Sequence, residues 1–343
     1  MYRGKLLLAV LLVAAATVGF ARAAEKNSYQ ATILVGNETD EGFPVVDPKL
    51  VNAWGIAASP TSPWWVANNG TDSATIYTGE GVKIGLEVTV PGAPTGMVWY
   101  GGTQFLLSNM SHAVFMWAAE NGTILGWNGG TQAAVVFPAS GTPDPGSIYK
   151  GLAIHGDTLF TTDFGECKVE SIDGTFTEFD TAGEFEDDTI PAGYCPFGIQ
   201  AVGDSIFVTY ALKSGIDDVA GQGHGFVREF DTDGNLIAAV ADHGQLNSPW
   251  GVAMAPSDFG RFSSCLLVGN FGDGEINAYC KDDEGEWHHG GFLRSGKRAL
   301  VVDGLWGIGF GNGHASGPLN VLYFAAGPDE EENGYFGKIE VGP

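Results

Sequence analysis

Short apolar runs alternate along the chain with turns rich in Gly, Asn and Asp, and six of these runs begin in the same way. Residues 52–70 read NAWGIAASPTSPWWVANNG: an aromatic–Gly step opens an apolar run, a turn follows, and a second apolar run ends in Asn. The pattern returns at residues 95–109 (TGMVWYGGTQFLLSN), 150–163 (KGLAIHGDTLFTTD), 197–210, 250–270 and 306–326. The leading glycines, Gly55, Gly96, Gly151, Gly198, Gly251 and Gly307, lie 41, 55, 47, 53 and 56 residues apart. That period suits a propeller blade and is too long for a leucine-rich or helical repeat.

Each copy carries further runs. In the fourth, GFVREF, the turn DTDGN and LIAAV read as a hairpin; in the third, CKVESI, DG and TFTEF do the same. Each copy is therefore a four-stranded antiparallel meander, its strands lettered A to D from the axis outward. Six such sheets make an all-β, six-bladed β-propeller. Gly at the start of strand A has a packing reason, because six backbones converge there. The sixth copy lacks a fourth strand, and residues 29–35 (YQATILV) have strand character without a blade of their own. They are predicted to close the ring as strand D of the last blade, which removes an exposed edge.

Residues 1–23 read as a signal peptide: Arg3 and Lys5, an apolar run over residues 6–16, then Ala21-Arg22-Ala23. The apolar run is too short to span a bilayer. Residues 24–343 then form one propeller domain, expected to be monomeric and secreted or periplasmic without membrane insertion. With 41 acidic and 16 basic residues, formal net charge −25, the chain is a poor partner for nucleic acid or an anionic membrane. The acidic runs at 184–188, 282–286 and 329–332 read as solvated loops, and none has the spacing of a calcium-binding loop. Four cysteines in an exported chain suggest two disulfides. Cys265 and Cys280 are equidistant from a hairpin turn at Gly272–Asp273 and should face each other. Cys167 and Cys195 remain, and would link the third blade to the entry of the fourth.

Chemistry has two candidate rings. The ends of strand B read Asn68, Asn109, Asp163, Tyr210, Asn270 and Ala326. Oxygens converging on the axis from Asn68, Asn109, Asp163 and Asn270 would hold a divalent cation such as calcium. The bland alternative is that Asn and Asp cap strand ends. The residues before the leading glycines are Trp54, Thr95, Lys150, Phe197, Trp250 and Trp306. They read either as core wedged between blades or, with Tyr210, as an aromatic rim at the channel mouth suited to a small molecule, a glycan or a protein. Lys150 would pair with Asp163 or meet an anionic ligand. For a hydrolase or lyase, His112 and His224 are the candidate bases. No nucleophile elbow or phosphate loop is present.

The phrases NAWGIAASPTSPWWVANNGT, SPWGVAMAP and DGLWGIGFGNG resemble an uncharacterised family of secreted, bacterial-type propellers, along the whole mature chain. The resemblance implies a six-bladed propeller without an established role. More distantly the blades are similar to NHL repeats, as in streptogramin lyase-like, gluconolactonase-like and peptidyl-amidating enzymes, and that similarity implies a divalent metal at the channel mouth. Two functions follow: a secreted binding propeller, or a divalent-metal-dependent hydrolase or lyase acting at the same mouth.

Overall fold

A computed structural model describes residues 27–39, 42–143 and 145–342; the expected leader, residues 1–23, lies outside them. Among the described residues the chain forms six blade sheets, antiparallel apart from the short parallel pairing of Val45–Val46 with Tyr29–Gly36, and a small ribbon of Arg294–Ser295 with Arg298–Ala299; the helical pieces are two short 3-10 turns. Blade 1 comprises Ala53–Ala57, Trp64–Asn68, Ser73–Tyr77 and Val88–Thr89. Blade 2 comprises Pro94–Trp99, Phe115–Ala119, Thr123–Trp127 and Ala134–Phe137. Blade 3 comprises Tyr149–His155, Thr158–Asp163, Lys168–Asp173 and Glu178–Phe179. Blade 4 comprises Tyr194–Val202, Ser205–Ser214, Phe226–Phe230 and Leu236–Asp242. Blade 5 comprises Pro249–Met254, Leu266–Asn270, Ile276–Lys281 and Trp287–Phe292. Blade 6 takes three strands from the C-terminal end, Leu305–Phe310, Leu322–Ala326 and Tyr335–Val341. Its fourth is Tyr29–Gly36, which runs antiparallel to Tyr335–Val341 with Tyr29 opposite Val341, as the orphan strand pattern predicts.

The repeated glycines have the close-packing role read from the sequence. A Cβ on Gly55 would lie 2.5 Å from the Thr95 carbonyl oxygen of blade 2, and one on Gly307 would lie 2.5 Å from the Trp54 carbonyl of blade 1. The Cβ of any larger residue would collide with the strand A of the next blade, and the sixth contact returns to the first blade. The cores fill the clefts between neighbouring blades: Trp65, Phe115 and Trp117 join blades 1 and 2, and Phe207, Val252 and Val268 join blades 4 and 5. Both expected disulfides form. Cys265–Cys280 (Cα–Cα 4.4 Å) crosses strands B and C of blade 5, beside the Leu266–Tyr279 pair. Cys167–Cys195 (Cα–Cα 4.7 Å) ties blade 3 to strand A of blade 4.

Blade 2 departs from the expectation. Its strand B is Phe115–Ala119 and not the run ending at Asn109. Residues 104–112 form an excursion in which Phe105, at φ 53°, turns into the core against Tyr100 and Phe176. The residue equivalent to Asn68 and Asp163 is therefore Ala119, opposite Pro94 at the start of strand A.

Candidate functional site

Strand A of every blade starts, and strand B ends, at the same mouth of the central channel. There the residues before the glycines do meet. The Trp54 and Trp306 rings stack with centroids 3.5 Å apart, Trp250 stands edge-on to both, and Phe197 packs on Trp306 at 5.8 Å. All four are buried, so the channel is plugged by aromatic side chains. The rings are core, and the upper surfaces of Trp54 and Trp306, with Phe271 stacked on Trp306 at 4.0 Å, floor a cavity of about 290 Å³.

Asn52 fixes this floor. Its Oδ1 accepts the indole N–H of Trp54 (2.9 Å) and that of Trp306 (3.2 Å). Its Nδ2 donates to Asn69 Oδ1 (3.2 Å), and Asn69 Nδ2 donates to Glu120 Oε2 (3.0 Å). Asn52 holds a left-handed backbone, φ 47°, which Asn tolerates better than most residues. The Trp250 indole N–H donates to the Lys150 carbonyl (3.0 Å).

The walls of the cavity are acidic. Glu120, Asp217, Asp218, Glu330 and Glu331 line it, with Lys150 as the one cation of the lining. Lys150 is 3% exposed; its Nζ lies 2.5 Å from Glu120 and 3.4 Å from Asp217, and 5.2 Å from the centroid of the Trp54 ring. It pairs with these two carboxylates and not with Asp163. Burial, with Glu120, Asp217 and Asp218 adding and Lys150 opposing, pushes the Glu331 carboxyl up to about 7. Burial also raises Asp218 above the usual carboxylate range, against Ser248 and Lys150. Both effects come first from burial, with the neighbouring carboxylates adding to it.

Backbone strain delivers Glu330 and Glu331. Asp329, Glu330 and Glu331 have φ of 55°, 56° and 69°, three consecutive left-handed residues, each costing roughly 1–2 kcal/mol. The turn is held by the Asp329 N–H on Asp303 Oδ2 (3.2 Å), by Asn333 Nδ2 on Asp329 Oδ2 (2.9 Å), and by the Asn52 N–H on the Asn333 carbonyl (2.8 Å). The aromatic floor and the acidic wall thus share Asn52.

The expected metal ring does not assemble. Asn68 Nδ2 donates to Ser73 and Thr75 of its own blade. Asp163 Oδ1 accepts the N–H groups of Ile148 and Glu166. Asn270 Nδ2 donates to the Gln245 carbonyl and to Asp273. Asn109 lies on the blade 2 excursion and accepts from Ser111. These four residues do not come together as one set: Asn109 sits on the blade 2 excursion, and Asp163 Oδ2 and Asn270 Oδ1, although buried without a hydrogen-bond partner, end strand B in blades 3 and 5, which are not adjacent. Tyr210 is also displaced from the mouth: it is buried between blades 3 and 4, its OH donating to the Phe185 carbonyl (3.3 Å). His112 sits on the same excursion as Asn109, its Nδ1 on the Gln104 carbonyl. His224 backs the loop that carries Asp217 and Asp218, its Nδ1 on the Val219 carbonyl, and does not line the cavity.

The opposite mouth, where strands A end, holds a cavity of about 390 Å³ lined by Ile56, Met97, Trp99, Val252, Ile308 and other uncharged residues. Among the described residues no helix is long and apolar enough to cross a membrane.

Uncharacterised protein R648 of Acanthamoeba polyphaga mimivirus is 30% identical over 329 residues, covering 91% of this chain and 80% of that protein. Uncharacterised protein L690 of the same virus is 30% identical over 316 residues, covering 85% and 81%. The chain belongs to the family of these proteins. No family model matches it. Among solved structures, virginiamycin B lyase from Staphylococcus aureus aligns with a TM-score of 0.52 at 14% identity, covering 92% of this chain and 99% of that one. The soluble aldose sugar dehydrogenase from Escherichia coli aligns with a TM-score of 0.53 at 12% identity, covering 92% and 100%. At these identities the likeness shows the six-bladed fold alone.

From their place before the glycines the sequence reading found Trp54, Lys150 and Trp306, which line the acidic cavity, and Trp250, which packs edge-on to the two indoles and does not line it. It missed Glu120, Asp217, Asp218, Phe271, Glu330 and Glu331. Glu120 was hidden by the misplaced strand B, and the run at 329–332 reads as a solvated loop unless its left-handed turn is known.

Proposed function

We propose that the plugged channel mouth is a receptor site for an organic cation, an amine or guanidinium carrying a flat or apolar body, on a secreted binding propeller. In this reading residues 1–23 direct export and residues 24–343 are the mature propeller, in keeping with two disulfides. One observation carries the ligand class: five carboxylates and one already paired ammonium surround an aromatic floor. A cation over an indole face gains about 0.5–2 kcal/mol, more as the site is desolvated, and the net charge of −25 favours encounter with positive ligands.

The test is calorimetric titration of the mature protein with tryptamine, spermidine and tetramethylammonium, with neutral tryptophol as control. At least one amine should bind, tryptophol should bind at least tenfold more weakly than tryptamine, and Asp218→Asn with Glu331→Gln should abolish the preference. Equal binding of tryptamine and tryptophol, or no cation binding, would refute the reading. A second reading, a lyase at the same mouth, draws on one observation: Glu331 titrates near neutrality, where a general acid or base works best. Turnover of a bound amine that is lost in Glu331→Gln would favour it over simple binding.

A further inference from the structure

We propose that Asp163, Glu166 and Glu170, at the turn between strands B and C of blade 3, form a calcium site separate from the channel mouth. Asp163 ends strand B, Glu166 lies in the turn and Glu170 is on strand C. Each offers one carboxylate oxygen within 4.8 Å of those of the other two. Carboxylates are this close either around a cation or around enough hydrogen-bond donors to disperse their charge.

The donors here fall short at one atom. Asp163 is fully buried; its Oδ1 accepts two backbone N–H groups, from Ile148 (2.9 Å) and Glu166 (3.0 Å). Its Oδ2 is buried with no hydrogen-bond partner. A buried carboxylate oxygen without a partner is costly and calls for an ion or an ordered water. Lys168 does not supply the want. Its Nζ lies 3.0 Å from Glu166 Oε2, 3.0 Å from Glu170 Oε1 and 3.8 Å from Glu178 Oε1. It is 43% exposed on a flexible stem, free to turn outward toward Glu178 when a second cation enters. Tyr149 OH donates to Glu170 Oε2 (2.6 Å) and orients that carboxylate, whose burial raises its pKa despite the bonds from Tyr149 and Lys168.

The spacing of the cluster accommodates calcium. Oxygens on opposite sides of calcium stand about 4.6–5.2 Å apart, and on opposite sides of magnesium about 4.0–4.2 Å. Three oxygens within 4.8 Å of one another fit within the shell of calcium without further spreading. Three carboxylates, singly or doubly ligating, supply three to six of its six to eight oxygens, and water completes the shell. Cys167 follows Glu166 and bridges to Cys195, so the ion would clamp the turn beside the link to blade 4.

The experiment titrates the mature protein with calcium by calorimetry and with terbium by luminescence, exciting Tyr149 and its aromatic neighbours. One saturable calcium per chain is expected, with calcium displacing terbium. At a hundredfold excess over Kd, calcium should raise Tm by about 4–8 °C. Asp163→Asn keeps the Oδ1 acceptor for both backbone amides, so it should fold, lose the calcium-dependent Tm rise, and without calcium be at least as stable as the wild type. Glu166→Gln with Glu170→Gln should also lose binding, whereas the mouth variant Asp218→Asn with Glu331→Gln should keep it. That last control separates this site from the receptor reading. Absence of saturable binding at millimolar calcium, survival of binding in Asp163→Asn, or its loss in the mouth variant would overturn the proposal.

Discussion

Replacing Asn52 tests whether the floor of the site is held as the geometry implies. Asn52 is 5% exposed, accepts the indole N–H groups of Trp54 and Trp306, and has φ 47°. Asn52→Gly keeps the backbone freedom and removes the acceptor, orphaning two buried donors. Each buried unsatisfied donor costs about 1–3 kcal/mol, and water entering the vacated space lowers the figure. Gly adds about 0.5–1 kcal/mol through the unfolded chain. We expect a loss of about 2–5 kcal/mol. Asn52→Ala removes the same acceptor but, unlike Gly, keeps a Cβ on a left-handed residue without the Asn side chain that tolerates it, at about 1–2 kcal/mol relative to Gly, and it avoids the unfolded-state cost of Gly. Ala should therefore be the worse variant by about 0.5–1 kcal/mol. Equilibrium urea unfolding, followed by tryptophan fluorescence and far-ultraviolet circular dichroism with the disulfides intact, measures both. An Asn52→Gly variant within 0.5 kcal/mol of the wild type would refute the claim that the two indole bonds anchor the plug. An Ala variant more stable than the Gly variant would refute the left-handed assignment.

Two further outcomes follow from the placement of charge. Glu331, at about 7 in the folded chain, stands above its unfolded value; folding therefore disfavours its ionised form, and the contribution to stability present at low pH is lost as pH rises through 7. Glu331→Gln should be stabilising at pH 8 and near neutral at pH 4.5 in urea midpoints, and in the wild type cation affinity should fall as pH drops below 7; a pH-independent difference would sink the assignment. Asn109→Ala and His112→Ala, on the exposed excursion of blade 2, should leave cation binding unchanged and stability within about 0.5 kcal/mol by the same unfolding assay.

The architecture was legible because its tightest constraint leaves a mark on every copy. Only Gly fits where one strand A lies against the next, as the backbone around Gly55 and Gly307 shows, so six glycines outline six blades. The aromatic plug was half legible for the same reason, since each ring is fixed one residue before such a glycine. Strand B of blade 2 was not. An apolar run such as residues 104–108 alternates like a strand whether it pairs in a sheet or folds inward as a plug, and only the left-handed turn at Phe105 decides between them. Apolar pattern reports burial, and burial alone does not fix a ladder partner.

The acidic wall shows why side chains from distant loops escape a linear reading, and also what organises them. Glu120, the pair Asp217 and Asp218, and the pair Glu330 and Glu331 all lie between strands B and C, of blades 2, 4 and 6 respectively. In blades 1, 3 and 5 strand B ends instead in Asn68, Asp163 and Asn270, whose side chains bond to the adjoining strand or to the connection that enters the same blade. At the matching register in the even blades stand Ala119, Tyr210 and Ala326, with strand B of blade 4 running on to Ser214, and none of the three is an Asn or Asp able to hold the turn in that way. The turn of blade 5 gives the cavity an aromatic ring, Phe271, and that of blade 1 bonds Glu120 through Asn69, while the turns of blades 2, 4 and 6 carry the carboxylates over the plug. The propeller has six blades but its mouth repeats three times, with structural polar residues and lining carboxylates on alternate blades. This alternation explains why the Asn and Asp that end strand B in blades 1, 3 and 5 lie at the same mouth as the acidic wall without lining its cavity.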